Sequence, residues 1–157
     1  MFLDQFPPRI TGFFDRSDPS TSRNPDAFKR ACYLAAQLEG GSVEGIDLDL
    51  LNRNYYAATI RTPVDDVSVL CNSVHPYLAF VPARNFAVGT DLKLTFVEPV
   101  SLAATFLAAT EFQPLDASWL SADLNSELLT GLAASELKQV HYWKPERVGD
   151  VIFNFWD

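Results

Sequence analysis

The sequence contains few of the residues that carry covalent or metal chemistry. Two cysteines, Cys32 and Cys71, and two histidines, His75 and His141, are all that occur in 157 residues. Both cysteines lie in apolar segments, which predicts reduced thiols in a core and argues against a disulfide or a reactive thiol. The four residues show none of the closely spaced ligand pairs of zinc sites. We therefore expect no metal and no other cofactor.

The sequence also lacks a long hydrophobic run. Its richest apolar stretch, "SLAATFLAAT" from Ser101, includes three hydroxyl residues and is much shorter than the roughly 18 apolar residues of a membrane span. The opening "MFLDQFPPR" has Asp4 and two prolines where a signal peptide has basic residues and then an apolar run. We therefore expect a cytoplasmic protein that does not bind membranes.

Basic residues are scarce in this chain. Twelve Lys and Arg stand against twenty Asp and Glu, and the formal net charge is −8. This charge opposes binding to nucleic acid phosphates, so we expect no nucleic-acid partner. No basic residue occurs between Lys93 and Lys138.

The acidic residues concentrate in two stretches. One lies in the interval without basic residues and includes Asp116, Asp123 and Glu127. The other is "EGGSVEGIDLDL", whose acidic residues are Glu39, Glu44, Asp47 and Asp49. Such stretches form ordinary solvated faces in many proteins. The alternative, which we adopt as the prediction, is that these seven residues bind a protein partner.

The pattern of the first forty residues predicts an irregular segment followed by a helix. Residues 1–24 contain three prolines and a polar run, which are typical of an N-terminal arm without regular structure. The stretch "NPDAFKRACYLAAQLEGG" then has Asn24 as a cap, Pro25 at the first helical position, and Gly40 or Gly41 at the end.

Strand-like segments follow the helix. They are "NYYAATIRT", "DVSVLCN", "PYLAFVP" and "DLKLTFVE". The connections between them are short, and short connections favour antiparallel neighbours. We predict a single α+β domain over residues 1–157, with the N-terminal helix, an antiparallel sheet of about four strands, and C-terminal helices packed on the sheet.

The C-terminal part returns to helical spacing. From Leu115 onwards, leucines recur at near-helical intervals, with Asp116 and Ser121 as candidate caps. In the closing "ERVGDVIFNFWD", apolar residues fit positions i, i+3, i+4, i+7 and i+8, namely Val148, Val151, Ile152, Phe155 and Trp156. This spacing predicts an amphipathic helix that begins after Pro145 and docks on the sheet.

Four residues are candidates for an enzyme site: Asp47, Asp49, His75 and His141. Paired carboxylates serve as metal ligands and as acid–base groups. Alternation in "IDLDL" nevertheless places both acids on one strand face and Ile46, Leu48 and Leu50 on the other, as in any half-buried strand. The stretch "NSVHPY", which contains His75, is typical of a turn. Cys71 lies four residues before His75, but the acidic chain does not offer the electropositive setting that activates a thiol. We predict that the protein is not an enzyme; a small hydrolase or metal-dependent enzyme is the alternative.

The closing stretch also carries a resemblance. The tail "HYWKPERVGDVIFNFWD", with the upstream "YYAATIRT", "VSVLCNSVHPYLAFV" and "SWLSADLNSELLTGLAASELKQ", resembles a group of small bacterial proteins of unassigned activity. Some of that group resemble immunity proteins encoded beside secreted polymorphic toxins. The resemblance covers about residues 28–157, the N-terminal arm departs from it, and it supplies no catalytic residues.

The resemblance implies a non-enzymatic, acidic, cytoplasmic inhibitor. Such a protein occludes the active site of a toxin, for example a nuclease whose basic groove attracts carboxylates. A third alternative is a subunit whose exposed aromatic residues form a homodimer.

Overall fold

The computed structural model describes residues 1–14, 23–64, 66–83 and 93–156. The helices are α1 (Pro25–Leu38), α2 (Val100–Ala109), α3 (Ala117–Leu120), a 3₁₀ helix (Leu128–Gly131), α4 (Ala134–Trp143) and α5 (Val148–Ile152). The strands are β1 (Ser42–Asp47), β2 (Tyr55–Arg61), β3 (Asp66–Asn72), β4 (Tyr77–Pro82) and β5 (Gln113–Pro114). The α+β class and its order of elements are confirmed.

One sheet joins the five strands in the order β1-β2-β3-β4-β5. The first four form an antiparallel meander, and the two-residue β5 adds a parallel pairing at the far edge of β4. Pairing between β1 and β2 skips Glu44, because Val43 pairs with Ile60 and Gly45 with Thr59. Glu44 is therefore a bulge residue on the edge strand, where bulges commonly interrupt pairing.

Both faces of the sheet are covered. On one face, residues such as Tyr56, Val69 and Phe80 pack against α1 and α2. On the other face, residues such as Tyr55 and Leu70 pack against the N-terminal segment and the C-terminal helices. Alternation along each strand thus supplies two cores, one on each side of the sheet.

The start and end of α1 match the prediction. The Asn24 side chain accepts a hydrogen bond from the Asp26 amide at 2.9 Å, and Pro25 occupies the first helical position. Gly40 follows the helix with a φ of +72°, a conformation that costs glycine little.

Residues 1–14 of the N-terminal segment form no helix or strand, but they are not a free arm. Residues 15–22 lie outside the described residues, whereas Phe6, Ile10 and Thr11 are fully buried. The Phe6 amide donates to the Leu128 carbonyl at 2.9 Å. A Cβ on Gly131 would lie 2.0 Å from the Phe6 carbonyl oxygen, so this contact requires a glycine.

The strand predicted over 91–98 is not present in its described part. Residues 93–98 contact β4 through the Val97 amide, which donates to the Phe80 carbonyl at 2.9 Å, but form no strand. The Leu94 carbonyl instead accepts from the Arg147 guanidinium at 2.8 Å. Leu94 and Phe96 are buried in alternation. The pattern therefore predicted the buried side chains correctly, but the strand pairing that it predicted is wrong.

The leucine-rich region after Leu115 forms three short helices. Asp116 is the N-cap residue of α3, although its side chain makes no capping bond. Ser121, the other candidate cap, is the C-cap residue of α3. Between these helices the chain pairs with a distant segment: the Leu124 amide donates to the Glu146 carbonyl at 2.9 Å, and Val148 pairs similarly with Ala122 at 3.0 Å.

The tail helix is shorter than predicted. α5 ends at Ile152, and Phe153 adopts a φ of −126° and a ψ of 89°. Val148, Val151 and Ile152 face the core, as their spacing indicated. The prediction was wrong beyond them: Phe153 is 1% exposed, whereas Phe155 is 37% exposed. None of the helices in the described ranges has the length and apolar composition of a bilayer-spanning segment.

Candidate functional site

Cys71 and His75 lie on different sides of the sheet. Cys71 is buried in the core beneath α1 and α2, as is Cys32, and both are free thiols as predicted. Burial raises the pKa of each thiol, which disfavours the nucleophilic thiolate. His75 sits in the β3–β4 turn, where its Nε2 donates to the Pro8 carbonyl at 2.8 Å. Burial lowers the pKa of His75, and the bond to Pro8 opposes that shift.

Residues 47–53, which include Asp47 and Asp49, form a turn around the side chain of Arg53; we call it the aspartate turn. The Asp47 carboxylate accepts from the Asp49 amide at 3.0 Å, and the Asp49 carboxylate accepts from the Leu51 amide at 2.9 Å. Arg53 pairs with the Asp47 carboxylate at 3.0 Å and donates to the carbonyls of both aspartates. Asp47 is therefore a structural part of the turn, whereas Asp49 remains exposed.

The alternation predicted for "IDLDL" is confirmed. Ile46, Leu48 and Leu50 pack towards the core beneath α1 and α2. Asp47 pairs across the sheet with Ala57, whose face is the one that the N-terminal segment and the tail cover. Asp47 thus projects towards the same side of the sheet as the tail, whereas Asp49 lies beyond the end of β1.

Glu39 and Glu44 have other surroundings. Glu39 ends α1 and accepts hydrogen bonds from two hydroxyls of α2, those of Ser101 (2.9 Å) and Thr105. It lies on the opposite side of the sheet from the aspartate turn. Glu44 occupies the β1 bulge, 3.9 Å from the Arg61 side chain.

The second acidic stretch lies near α3. Asp116 pairs with the amino group of Met1. Asp123 and Glu127 are exposed in the connection between α3 and the 3₁₀ helix. The seven predicted binding residues therefore do not form one cluster. Asp47 is paired with Arg53, and Arg53 lines a cleft.

The residues of the enzyme alternative are not brought together. His141 is exposed on α4, whereas His75 lies in the β3–β4 turn. In the part of the chain that the structure describes, no hydrogen bond joins either imidazole to Asp47 or Asp49, and no three His, Cys, Asp or Glu side chains gather to hold a metal.

Three buried asparagines, which sequence reasoning missed, connect the tail to the sheet. The amide groups of Asn54 and Asn72 both donate to the carbonyls of Ile10 and Ile152, at 2.8 to 3.0 Å. The Asn154 amide donates to the carbonyls of Thr11 and Val151 at 3.0 Å. An isolated Asn in an apolar segment, as in "VIFNFW", was the available signal, because buried polar groups need partners.

The sequence pattern also did not identify Glu136. Its carboxylate is 0% exposed and accepts four hydrogen bonds: from the amides of Arg9, Thr11 and Ala133 and from the Thr11 hydroxyl, at 2.7 to 3.1 Å. Four charge-assisted hydrogen bonds compensate a buried carboxylate for its loss of hydration. Glu136 therefore fixes residues 9–11 of the N-terminal segment to α4.

A cleft of about 400 Å³ opens where these segments meet; we call it the tail cleft. Leu50, Asn52 and Arg53 of the aspartate turn line one wall, and Phe13 and Trp156 line the other. Its floor includes Asn54 and Asn154, whose amides already donate to backbone carbonyls. The floor is thus fixed by the protein's own hydrogen bonds.

A row of aromatic side chains continues from the cleft wall; we call it the aromatic row. The rings of Phe13 and Trp156 are 6.4 Å apart, and those of Trp156 and Trp143 are 6.5 Å apart and parallel within 2°. Tyr142 extends the row with an edge contact at 5.2 Å. Tyr142 is 75% exposed and Trp143 is 38% exposed. A second cleft, of about 220 Å³, lies between Trp143 and Trp156.

This arrangement suits contact with another macromolecule. Exposed aromatic side chains beside a rigid, partly polar cleft supply contact area at low entropic cost. Comparison of the chain with family models, with curated proteins and with solved structures gives no match.

Proposed function

We propose that this chain is a non-enzymatic, protein-binding domain that contacts its partner through the aromatic row and the tail cleft. The observation that carries the proposal is the exposure of Tyr142 and Trp143 in a row that is continuous with a cleft wall. Large exposed aromatic groups of this kind are enriched at the centres of protein interfaces.

The partner that fits best is a basic protein. The resemblance to immunity proteins makes a toxin domain the specific candidate. The chain carries a net charge of −8, and the exposed Asp49 directly precedes Leu50, which lines the tail cleft. Opposite charges on a partner speed diffusional encounter, and buried aromatic anchors slow dissociation. A nuclease groove, which binds phosphates with basic side chains, has the complementary charge.

In this proposal the chain inhibits the toxin domain by covering its active site. The aromatic row anchors the partner, and the aspartate turn faces basic residues that otherwise bind the substrate. No bond is made or broken. The rigid floor of the cleft supports this role, because a preorganised surface loses little entropy on binding.

The electrostatic part is tested by binding kinetics with the toxin domain encoded beside this gene. Asp49→Asn removes the charge but keeps the oxygen that accepts from the Leu51 amide. Glu127→Gln removes the same charge from an exposed site near α3. We expect Asp49→Asn to slow association several-fold and to weaken its salt dependence, while Glu127→Gln has a smaller effect.

Equal effects of the two variants would show that the net charge of the chain, and not the aspartate turn in particular, speeds association. Absence of any binding to a purified basic toxin domain would reject the inhibitor proposal. Asp47 is unsuitable for this test, because its carboxylate pairs with the nearly buried Arg53.

A further inference from the structure

Three aromatic side chains line the second cleft, which we call the tryptophan cleft. They are Trp143 of α4 and Phe155 and Trp156 of the tail. Trp143 and Phe155 are 38% and 37% exposed, so solvent reaches their rings. An opening bordered by several aromatic faces is typical of a site for a cation, because the face of each ring carries partial negative charge.

Both tryptophan side chains are held in place by the fold. The Trp143 Nε1 donates to the Gln139 side chain at 3.1 Å, and the Trp156 amide donates to the buried Asn154 side chain at 3.3 Å. The far face of Trp156 is next to Phe13, whose ring centroid is 6.4 Å away. Rings that are oriented before binding lose little entropy when a ligand enters.

The spacing of the two tryptophan rings suits a flat group. The rings are parallel within 2°, and their centroids are 6.5 Å apart. A flat group that touches two rings needs about 7 Å between them, since it contacts each at about 3.5 Å. Parallel rings also lie in offset contact at such a distance, but both of these rings line one open cleft. The open cleft favours a gap between their faces.

The charged side chains that line the cleft are already paired. Lys93 lies 3.5 Å from the Glu146 carboxylate. Asp150 pairs with the Arg147 guanidinium at 2.7 Å, and that guanidinium stacks on Phe96, 5.2 Å from the ring centroid. The sign of a ligand is therefore set by the aromatic faces and by the net charge of −8, and both favour a cation.

We infer that the tryptophan cleft binds an arginine side chain of the partner, an inference that rests on the proposed function because it takes the partner to be a basic protein. The guanidinium group is planar, stacks on aromatic faces and is more weakly hydrated than the ammonium group of lysine. Tryptophan is the aromatic side chain that binds cations best. Arginine is also among the residues that most often contribute strongly to protein interfaces.

An NMR titration of the free chain with N-acetylarginine amide tests this inference. The chain has three tryptophans, and each indole N–H gives its own signal. We expect the signals of Trp143 and Trp156 to shift, with a dissociation constant on the order of 10 mM. The signal of Trp119, which does not line the cleft, should stay in place.

Uncharged and non-planar probes identify the group that binds. N-acetylcitrulline amide has the shape of the arginine probe without its charge, and we expect it to bind at least about ten-fold more weakly. N-acetyllysine amide keeps the charge without the flat group and should bind several-fold more weakly than arginine. Equal affinity of the arginine and citrulline probes would overturn the inference.

Two variants locate the binding. Trp143→Leu removes one ring of the cleft, so the arginine probe should bind about ten-fold more weakly or worse, with the Trp156 signal as the readout. Tyr142→Leu is the control, because Tyr142 contacts the Trp143 ring but does not line the cleft. Unchanged affinity in a folded Trp143→Leu, or an equal loss in Tyr142→Leu, would contradict a site between the tryptophans.

A pair of lysine variants tests the charge at the cleft. Lys93→Gln removes a positive charge that lines the cleft, so it should strengthen arginine binding about two- to three-fold. Lys29→Gln removes the same charge from an exposed position on α1 and should bind as the parent does. Equal affinities of the two variants would place the arginine outside the cleft.

These titrations contain no toxin domain, so their outcome is separate from that of the proposed function. Failure of the arginine probe to bind, together with intact binding of a toxin domain, would reject the occupant of the cleft alone. Binding of the arginine probe without binding of any basic toxin domain would reject the inhibitor proposal alone.

Discussion

At the residue scale, single polar side chains join segments that are far apart in sequence. Glu136 fixes the N-terminal segment to α4, and Asn154 joins the tail to both the sheet and that segment. Each of these groups is buried and bonded, so it stabilises a particular arrangement and is costly to remove. The surface of the tail cleft depends on these contacts, because they hold in place the N-terminal segment and the tail, and both contribute residues to its lining.

Replacing Glu136 tests this role. In Glu136→Gln, the side-chain NH₂ faces amides that need an acceptor, so at least one buried donor is left without a partner. We expect the free energy of unfolding to fall by about 3 kcal/mol. Urea denaturation measures it, with Glu127→Gln at an exposed site as the control, expected within about 0.5 kcal/mol of the parent. Equal stability of the two variants would show that Glu136 does not hold the segment.

His75 gives a prediction on pH. Burial lowers its pKa in the folded state from the ordinary 6.5, so the unfolded chain binds the proton more readily. The contribution of His75 to stability is therefore complete above pH 6.5 and is lost as the pH falls below that value towards the folded-state pKa.

Denaturation of the parent and of His75→Gln between about pH 7.5 and pH 5.5 measures this contribution. The parent should lose more stability than His75→Gln over this interval. His141→Gln, changed at an exposed position on α4, should behave as the parent does. Parallel curves for the parent and His75→Gln would contradict the expected titration.

At the element scale, the tail owes its position to burial and not to helix length. α5 has five residues, too few to be stable in isolation. Phe153 completes the core between α5 and the sheet, with its ring 6.1 Å from that of Tyr55 and 6.4 Å from that of Phe96. Phe155 instead lies partly in solvent.

The two phenylalanines therefore differ in their contribution to stability. Phe153→Ala should lower the free energy of unfolding by about 3 to 5 kcal/mol, because it leaves a cavity in the core. Phe155→Ala should lower it by about 1 kcal/mol or less. Thermal or urea denaturation compares them directly, and a larger loss for Phe155→Ala would show that the tail packs in another way.

Local signals predicted some elements and not others. α1 and the strands β2 to β4 were predictable, because Asn24, Pro25 and the short turns act within a few residues of their elements. The strand at 91–98 and the long tail helix were not. The Leu94 carbonyl is bonded by Arg147, 53 positions away, and Asn154 is bonded to Asn54, 100 positions away. Spacing within a segment carries no information on such bonds.

At the scale of the whole molecule, the two sides of the sheet present different surfaces. The side of α1 and α2 exposes apolar side chains of both helices, including Leu38 and Leu107. The opposite side carries the aspartate turn, the tail cleft and the aromatic row. Asp47 and Asp49 were predicted from the sequence as binding residues, whereas Tyr142, Trp143 and Trp156 were not, because these three rings come together only in the folded chain.

The measurement that tests the central proposal most directly is the affinity of aromatic variants for a purified basic toxin domain, the proposed partner. Tyr142 and Tyr33 are a matched pair, since both are exposed tyrosines, on opposite sides of the sheet. We expect Trp143→Ala to raise the dissociation constant about 30-fold, the effect of an interface hot spot of about 2 kcal/mol, and Tyr142→Ala to raise it less. Tyr33→Ala should bind as the parent does. Folded Trp143→Ala and Tyr142→Ala variants that bind with full affinity would contradict the account.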